Sequence, residues 1–121
     1  MNDYSIQELA EMIAKFCSDR EWDEFHNPKD LAIGISTEAG ELLDLFRFKN
    51  EEDVEEIFYH PDKRVRVEEE LADVLFFVLR FAQMNHIDLK QALEMKLEKN
   101  AKKYPVEKAR GSNKKYNEFE Q

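Results

Sequence analysis

The chain has little of what disulfide-stabilised and sheet-rich proteins require. Its 121 residues include one cysteine, three glycines and three prolines. A single cysteine, Cys17, excludes an intrachain disulfide. The shortage of glycine and proline disfavours a fold with many tight turns between strands. We therefore expect an all-α fold built from long helices.

Long apolar runs are also missing. The most apolar segment, residues 71–82, contains Asp73 and Arg80, and it is shorter than the roughly 20 apolar residues that a membrane-spanning helix needs. Residues 1–5 are too polar for a signal peptide. We therefore expect a cytoplasmic protein with no membrane segment.

Positive charge is scarce as well. Lysine and arginine together number 18 against 27 aspartates and glutamates, which gives a formal net charge of −9. This balance argues against a protein that mainly binds a nucleic-acid polymer, because such binding needs a basic surface. Any phosphate group must be bound locally, by a metal ion or by a small cluster of lysine and arginine.

Start and stop signals divide the chain into helices. Capping residues, with proline at or near the first turn, predict helices over about 6–21, 28–48 and 89–104, a short one before His60, and a long one over 65–85. Pro105 ends the last of them. We expect a helical domain over residues 1–105, arranged as a four-helix bundle, and a polar C-terminal extension over 106–121.

Two pairs of acidic residues lie within the most apolar helical segments. Glu38 and Glu41 belong to the second predicted helix, and Glu70 and Asp73 to the long one. Helical geometry places Glu38 and Glu70 on the apolar faces, with Glu41 and Asp73 at their margins. Four carboxylates brought together by antiparallel helices would repel strongly. We therefore predict a site for a divalent cation, and ligands that are all oxygen favour Mg²⁺ or Mn²⁺ over zinc.

The acidic pairs also admit other interpretations. Acidic residues three apart are common on helices, and a single pair is more often solvated surface. Two such pairs, both on apolar helical faces, favour a metal-binding site over solvated surface. A di-iron carboxylate bundle would need Glu-x-x-His on two helices, and none of the three histidines follows a glutamate at that spacing.

The spacing of the acids is similar to that of a known family. Glu38-Ala-Gly-Glu41, followed after 28 residues by Glu70-Leu-Ala-Asp73, resembles the signature of the MazG-like, all-α nucleoside triphosphate pyrophosphohydrolases. Segments 22–28, 96–105 and 110–116 resemble the branch that contains the dCTP pyrophosphatases. Together these motifs cover residues 22–116.

The resemblance implies hydrolysis of a nucleoside triphosphate between the α and β phosphorus, to monophosphate and pyrophosphate. The substrate would be a deoxynucleotide, such as dCTP or a modified pyrimidine nucleotide. The four acids would hold Mg²⁺, for which Mn²⁺ could substitute. Glu38 or Glu41 would accept the proton of the attacking water. Which of the two does so stays open, because a metal ligand and a general base have the same sequence signature.

The resemblance also implies a set of phosphate-binding residues. Lys96, Asn100 and Lys103 share one face of the last predicted helix, since they fall at i, i+4 and i+7. A run of charge at a helix C-terminus is more often solvated surface, favoured by the helix dipole. The full predicted set is Lys96, Asn100, Lys103, Tyr104, Arg110 and Lys115.

The aromatic segment before the second helix is the predicted site for the base. Related enzymes stack a base on a tryptophan there, as Trp22 could, although a lone tryptophan near helix ends is as often a core residue. Phe25 and His26 would shape the pocket. Phe48 stands where the dCTP-specific branch tends to have a second tryptophan, and Ile13 where it tends to have a histidine. Base selectivity therefore stays open.

The apolar surface of the long helix predicts assembly into an oligomer. The long helix is apolar nearly all round, because Phe76 and Leu79 lie on the side away from Glu70, so we expect a homodimer or homotetramer.

The alternative to an enzyme is a non-catalytic helical module, binding or regulatory, stabilised by a metal. A structural ion would not require the basic face around Lys96. Phosphoribosyl-ATP pyrophosphohydrolase shares the acidic signature, but the segment around Trp22 argues against it.

Overall fold

The computed structural model describes residues 3–113, and all the regular elements in this range are helical. The prediction of an all-α fold is confirmed. Among the described residues, no helix combines the length and the apolar character that crossing a bilayer would take. The helices are α1 (Ile6–Asp19), α2 (Pro28–Asp44), α3 (Glu51–Tyr59), α4 (Pro61–Met84), α5 (Leu89–Lys103) and α6 (Val106–Ala109), with a 3₁₀ turn at Asp23–Phe25.

The predicted capping residues begin these helices. The Ser5 hydroxyl accepts a hydrogen bond from the Glu8 amide at 3.1 Å, and the Glu8 carboxylate accepts one from the Ser5 amide at 3.1 Å. Asn27 caps α2 by accepting from the Asp30 amide at 2.8 Å. Helix α4 begins at Pro61, earlier than predicted, because proline is well suited to the first position of a helix.

The described residues divide into two compact units, one ending at Ile87 and the other beginning at Asp88. In the first unit, α4 packs against α1, α2 and α3. The second unit contains α5 and α6. Six α-helices therefore lie within residues 3–113, and they do not reduce clearly to the expected four-helix bundle. The bundle would take its fourth long helix from α5, which belongs to the second unit.

Helices α2 and α4 run antiparallel, and three contacts fix their register. Arg80, near the end of α4, donates to His26, just before α2, at 2.8 Å. A Cβ at Gly34 would lie 2.5 Å from the Phe77 ring. The third contact joins the acidic residues described below. The two helices therefore approach closely at Gly34, where any side chain would separate them.

Arg80 is the centre of a buried polar network that joins three segments. Its side chain is 2% exposed. Besides the bond to His26, it donates to the Gln83 side chain at 2.7 Å and to the Asp23 carboxylate. The Gln83 amide donates in turn to the Ala10 carbonyl at 2.7 Å. Because a buried guanidinium needs partners for its donors, this network fastens the segment between α1 and α2 to α4.

The first unit leaves much apolar surface in contact with solvent. Leu71 is 56% exposed and Leu75 is 48% exposed, although both lie on α4. A groove of about 320 Å³ runs between α1 and α4. We call it the α1–α4 groove; its lining is Leu9, Met12, Ile13, Phe16, Ala72, Leu75, Phe76 and Leu79. The described residues of one protomer therefore cover only part of the surface of α4.

Two glycines of α2 provide a matched test of the helix contact. Gly34→Ala places a methyl group against the Phe77 ring, so it should lower the free energy of unfolding by about 1–3 kcal/mol. A Cβ at Gly40 meets nothing within 4 Å, so Gly40→Ala should raise it by about 0.5–1 kcal/mol. Urea unfolding followed by circular dichroism measures both values. Equal effects of the two substitutions would contradict the close approach.

Candidate active site

Three of the four predicted acidic residues converge between α2 and α4. One carboxylate oxygen each from Glu38, Glu41 and Glu70 lies within 4.8 Å of the other two. Glu38 and Glu70 are half-buried and Glu41 is exposed. Opposite ligands of Mg²⁺ lie about 4 Å apart, so a small movement of these side chains would bring them to coordination distance. We call these three residues the acidic cluster.

Asp73 lies one turn after Glu70 on α4 and is exposed. It is not one of the three residues whose oxygens converge. Its negative charge nevertheless raises the pKa of both Glu38 and Glu70, so its carboxylate faces the same region. Its role as a fourth metal ligand stays a prediction.

Two oxygens of the acidic cluster lack partners. Oε2 of Glu38 and Oε2 of Glu70 are buried and accept no hydrogen bond from any described residue. Buried polar atoms of this kind are uncommon in folded proteins and costly when unpaired. A divalent cation would satisfy both atoms, and a set of donors made only of carboxylate oxygens suits a hard ion. The residues present therefore fit a divalent metal.

Burial and mutual repulsion shift the protonation of the acidic cluster. Burial is the largest cause that raises the pKa of Glu38 from 4.5 to about 7, followed by a hydrogen bond with Glu41 and by the nearby negative charges. Burial also raises the pKa of Glu70, again with a hydrogen bond to Glu41, while Arg66 opposes the shift. Without a cation, Glu38 and Glu70 therefore retain their protons to a higher pH than isolated carboxyl groups do.

A cavity of about 430 Å³ adjoins the acidic cluster. Glu41 and Glu70 are part of its lining. The rest of its lining is Asp44, Leu45, Lys49, Ile57, Lys63 and Arg66. Sequence reasoning missed these basic residues. Their signal was present, because Arg66 and Lys63 precede Glu70 by four and seven residues and so share its face of α4.

The predicted phosphate-binding residues that the structure describes lie in the second unit. Lys96, Asn100 and Lys103 are on α5, as their spacing predicts, and Tyr104 is its C-cap. Arg110 follows α6. Lys115 lies outside the described residues. Their binding to phosphate stays a prediction.

Three predicted base-binding residues lie in the segment between α1 and α2. Trp22 is 38% exposed, and its ring meets Phe16 edge-on at 5.7 Å and His26 at 6.1 Å between centroids. Phe25 closes the 3₁₀ turn and is exposed. Burial, and then the charge of Arg80, lower the pKa of His26. We call residues 22–26 the aromatic connector.

Phe48, the fourth predicted base-binding residue, lies in the turn after α2. Its side chain is 94% exposed and its φ is +62°, a strained conformation for a bulky residue. The aromatic connector precedes α2 and Phe48 follows it. Because the 17 residues of α2 span about 25 Å, one protomer places Trp22 and Phe48 at opposite ends of this helix.

Comparisons with known proteins agree with this architecture. The model of the MazG-like family matches residues 33–119. Among the relatives, dCTP pyrophosphatase 1 of Mus musculus is 34% identical over 115 residues, which cover 95% of this chain and 68% of that protein. The Homo sapiens protein of the same name is 32% identical over 115 residues, with the same coverage.

A solved structure is also similar. The crystal structure of a pyrophosphatase from Archaeoglobus fulgidus matches with a TM-score of 0.77 and 34% sequence identity, covering 87% of this chain and 96% of that one. The helical arrangement described above is therefore one that a pyrophosphatase of known structure shares.

The acidic cluster predicts a specific dependence of stability on pH. Because folding raises the pKa of Glu38 from 4.5 to about 7, the folded state binds more protons than the unfolded state between these values. This contribution to stability is therefore lost as the pH rises through that window. The thermal midpoint of the metal-free protein should fall between about pH 5 and pH 8 by more than that of Glu38→Gln. Mg²⁺ or Mn²⁺ should restore it at the higher pH.

The control for this prediction is Glu69→Gln, which removes an exposed carboxylate next to Glu70 on α4. It should retain the pH dependence of the wild-type protein and its response to the cation. Identical pH profiles for the wild-type protein and Glu38→Gln would contradict the interpretation.

Proposed function

The chain belongs to the MazG-like family, and we propose that it is a metal-dependent nucleoside triphosphate pyrophosphohydrolase. The relatives named dCTP pyrophosphatase and the similar archaeal pyrophosphatase support a nucleotide pyrophosphohydrolase. The observation that carries the proposal is the convergence of Glu38, Glu41 and Glu70 with two unpaired oxygens. A cytoplasmic location is part of the proposal.

The proposed reaction is hydrolysis between the α and β phosphorus. Water attacks the α phosphorus, the bond from that phosphorus to the bridging oxygen breaks, and pyrophosphate leaves with the electron pair. Glu38 or Glu41 accepts the proton of the water. Mg²⁺, or Mn²⁺, held by these two glutamates with Glu70 and Asp73 would neutralise the triphosphate and stabilise the charge that develops during in-line attack.

The proposed substrate is a deoxynucleoside triphosphate such as dCTP or a modified pyrimidine nucleotide. The names of the curated relatives support this class. Trp22, Phe25 and His26 would contact the base, and the partly exposed indole of Trp22 offers a face for stacking. Lys96, Asn100, Lys103 and Tyr104 would contact phosphate oxygens, together with Arg110 and Lys115.

We also propose that the enzyme is a homodimer or homotetramer. The α1–α4 groove supports assembly, because it leaves apolar side chains of both helices exposed, and extended apolar patches are typical of interfaces. The positions of Trp22 and Phe48 add a second reason. Since they lie at opposite ends of α2, both can contact one base only if Phe48 comes from a second copy of the chain.

The reaction is tested by assaying a panel of nucleoside triphosphates with Mg²⁺ for monophosphate and pyrophosphate. Glu38→Gln and Asp73→Asn should each reduce turnover by about 100-fold or more, because even partners of metal ligands contribute about 10–100-fold. Their helical content should be unchanged, and Glu69→Gln should remain active. Orthophosphate as the first product would contradict the site of attack. No turnover of any triphosphate would favour the non-catalytic module.

The base site is tested with Trp22, the one tryptophan of the chain. Binding of the favoured triphosphate to the inactive Glu38→Gln variant should quench the fluorescence of Trp22, because a stacked base contacts the indole directly. Trp22→Ala should raise KM by about 5-fold to 100-fold, since stacking contributes about 1–3 kcal/mol per base. Quenching of equal size by inorganic pyrophosphate would contradict stacking.

A further inference from the structure

The cavity beside the acidic cluster contains three cationic side chains, which the proposed function has not used. We call it the basic cavity, after Lys49, Lys63 and Arg66 in its lining. We propose that the basic cavity binds the diphosphate group of the substrate, the β and γ phosphates that leave as pyrophosphate. This inference rests on the proposed function, because it names the site of the leaving group in that reaction.

None of the three cations of the basic cavity is held in an ion pair by a described acidic residue. The side chains of Lys49, Lys63 and Arg66 form no ion pair with any described residue, and all three residues are exposed. The chain has a net charge of −9, so acidic partners for basic side chains are abundant. Arg64, which lies on α4 like Lys63 and Arg66, pairs with Glu68 at 3.4 Å. The cations of the cavity are therefore available to an anion.

The acids of the cavity form no ion pair with these cations, although the charge of Arg66 acts on Glu70 and opposes the rise of its pKa. Asp44 pairs with Arg47 at 3.1 Å, outside the cavity lining. Glu41 and Glu70 belong to the acidic cluster, and Oε2 of Glu70 has no hydrogen-bond partner among the described residues. Once a divalent cation neutralises the cluster, the charge that remains in the cavity is positive. This positive charge favours binding of an anionic ligand.

The position of the cavity along α2 and α4 gives the ligand a direction. The aromatic connector lies at the start of α2, beside Arg80 of α4. The acidic cluster follows further along α2, and the basic cavity comes last, beyond Glu41 and at the opposite end from the connector. A nucleotide lying along this pair of helices would therefore have its base at Trp22, its α phosphate at the cluster and its diphosphate in the cavity.

The chemistry and size of the cavity suit a diphosphate. Arginine presents a planar fork of donors that matches two phosphate oxygens, and lysine adds a compact charge. A volume of about 430 Å³ falls within the range of about 300–1,000 Å³ that is common for small-molecule sites. The same chemistry would bind the end of a triphosphate or free pyrophosphate, the reaction product.

Calorimetric titration of the full chain with inorganic pyrophosphate in the presence of Mg²⁺ tests the proposal. Arg66→Gln and Lys63→Gln should each raise the Kd for pyrophosphate by about tenfold, as loss of one charge-assisted hydrogen bond would. Their Kd for dCMP should change less than about twofold, because the monophosphate does not reach the cavity. Their affinity for Mg²⁺ alone should not fall, since removing a nearby positive charge does not weaken cation binding.

Arg64→Gln is the matched control, since it makes the same change two residues away on α4 and outside the cavity lining. It should leave the Kd for pyrophosphate unchanged. The proposal is overturned if Arg66→Gln and Lys63→Gln affect pyrophosphate no more than Arg64→Gln does. It is also overturned if Lys96→Gln on α5 weakens pyrophosphate binding while Arg66→Gln does not.

Kinetic assays separate this inference from the proposed function. With the favoured triphosphate, Arg66→Gln should raise KM and weaken product inhibition by pyrophosphate, each by about tenfold. If the wild-type protein hydrolyses no triphosphate, the proposed function fails, and the titrations still decide whether the cavity binds a diphosphate. If the wild-type protein hydrolyses triphosphates but the Kd for pyrophosphate does not depend on Lys63 and Arg66, the proposed function stands and the assignment of the cavity fails.

Discussion

The structure depends on the close packing of α2 against α4, which holds mutually repelling carboxylates together. Glu38 and Glu41 come from one helix and Glu70 from the other, so their separation is set by the packing of the helices and not by a flexible loop. The buried contacts around Gly34 and Arg80 oppose the tendency of the carboxylates to move apart. The packing of the helices thus preforms a group of carboxylates that fits a divalent cation.

In the first unit, the chemical character of the side chains changes with position along the antiparallel helices α2 and α4. Successive turns of α2 and α4 present an aromatic end, an acidic middle and a basic end. Because the two helices are antiparallel, this order runs toward the end of α2 and toward the start of α4. On α4, Arg80, Glu70 and Lys63 follow one another in that direction. A nucleotide of the kind proposed as substrate, with an aromatic base at one end and a phosphate chain at the other, would match this order.

The sequence predicted those features that depend on local rules. Helical periodicity placed Glu38 and Glu70 on core-facing surfaces, and the caps at Ser5 and Asn27 follow from hydrogen bonds over three residues. Features that depend on packing between helices were not accessible in this way. The wide separation of Trp22 and Phe48 and the exposed side of α4 depend on which helices pack together. The spacing of Lys63 and Arg66 on one face of α4 is visible in the sequence. Only the structure shows that this face lines a cavity and is not ordinary charged surface.

Arg80 has a further consequence for how a ligand meets the aromatic connector. Its bonds to His26 and Asp23 attach the connector to the same helix that carries Glu70, so the two regions form one mechanical piece. A ligand at the proposed base site beside Trp22 would therefore meet a surface that is already in place. Discrimination at this end of the molecule would then come from shape, with little entropy lost to ordering the protein.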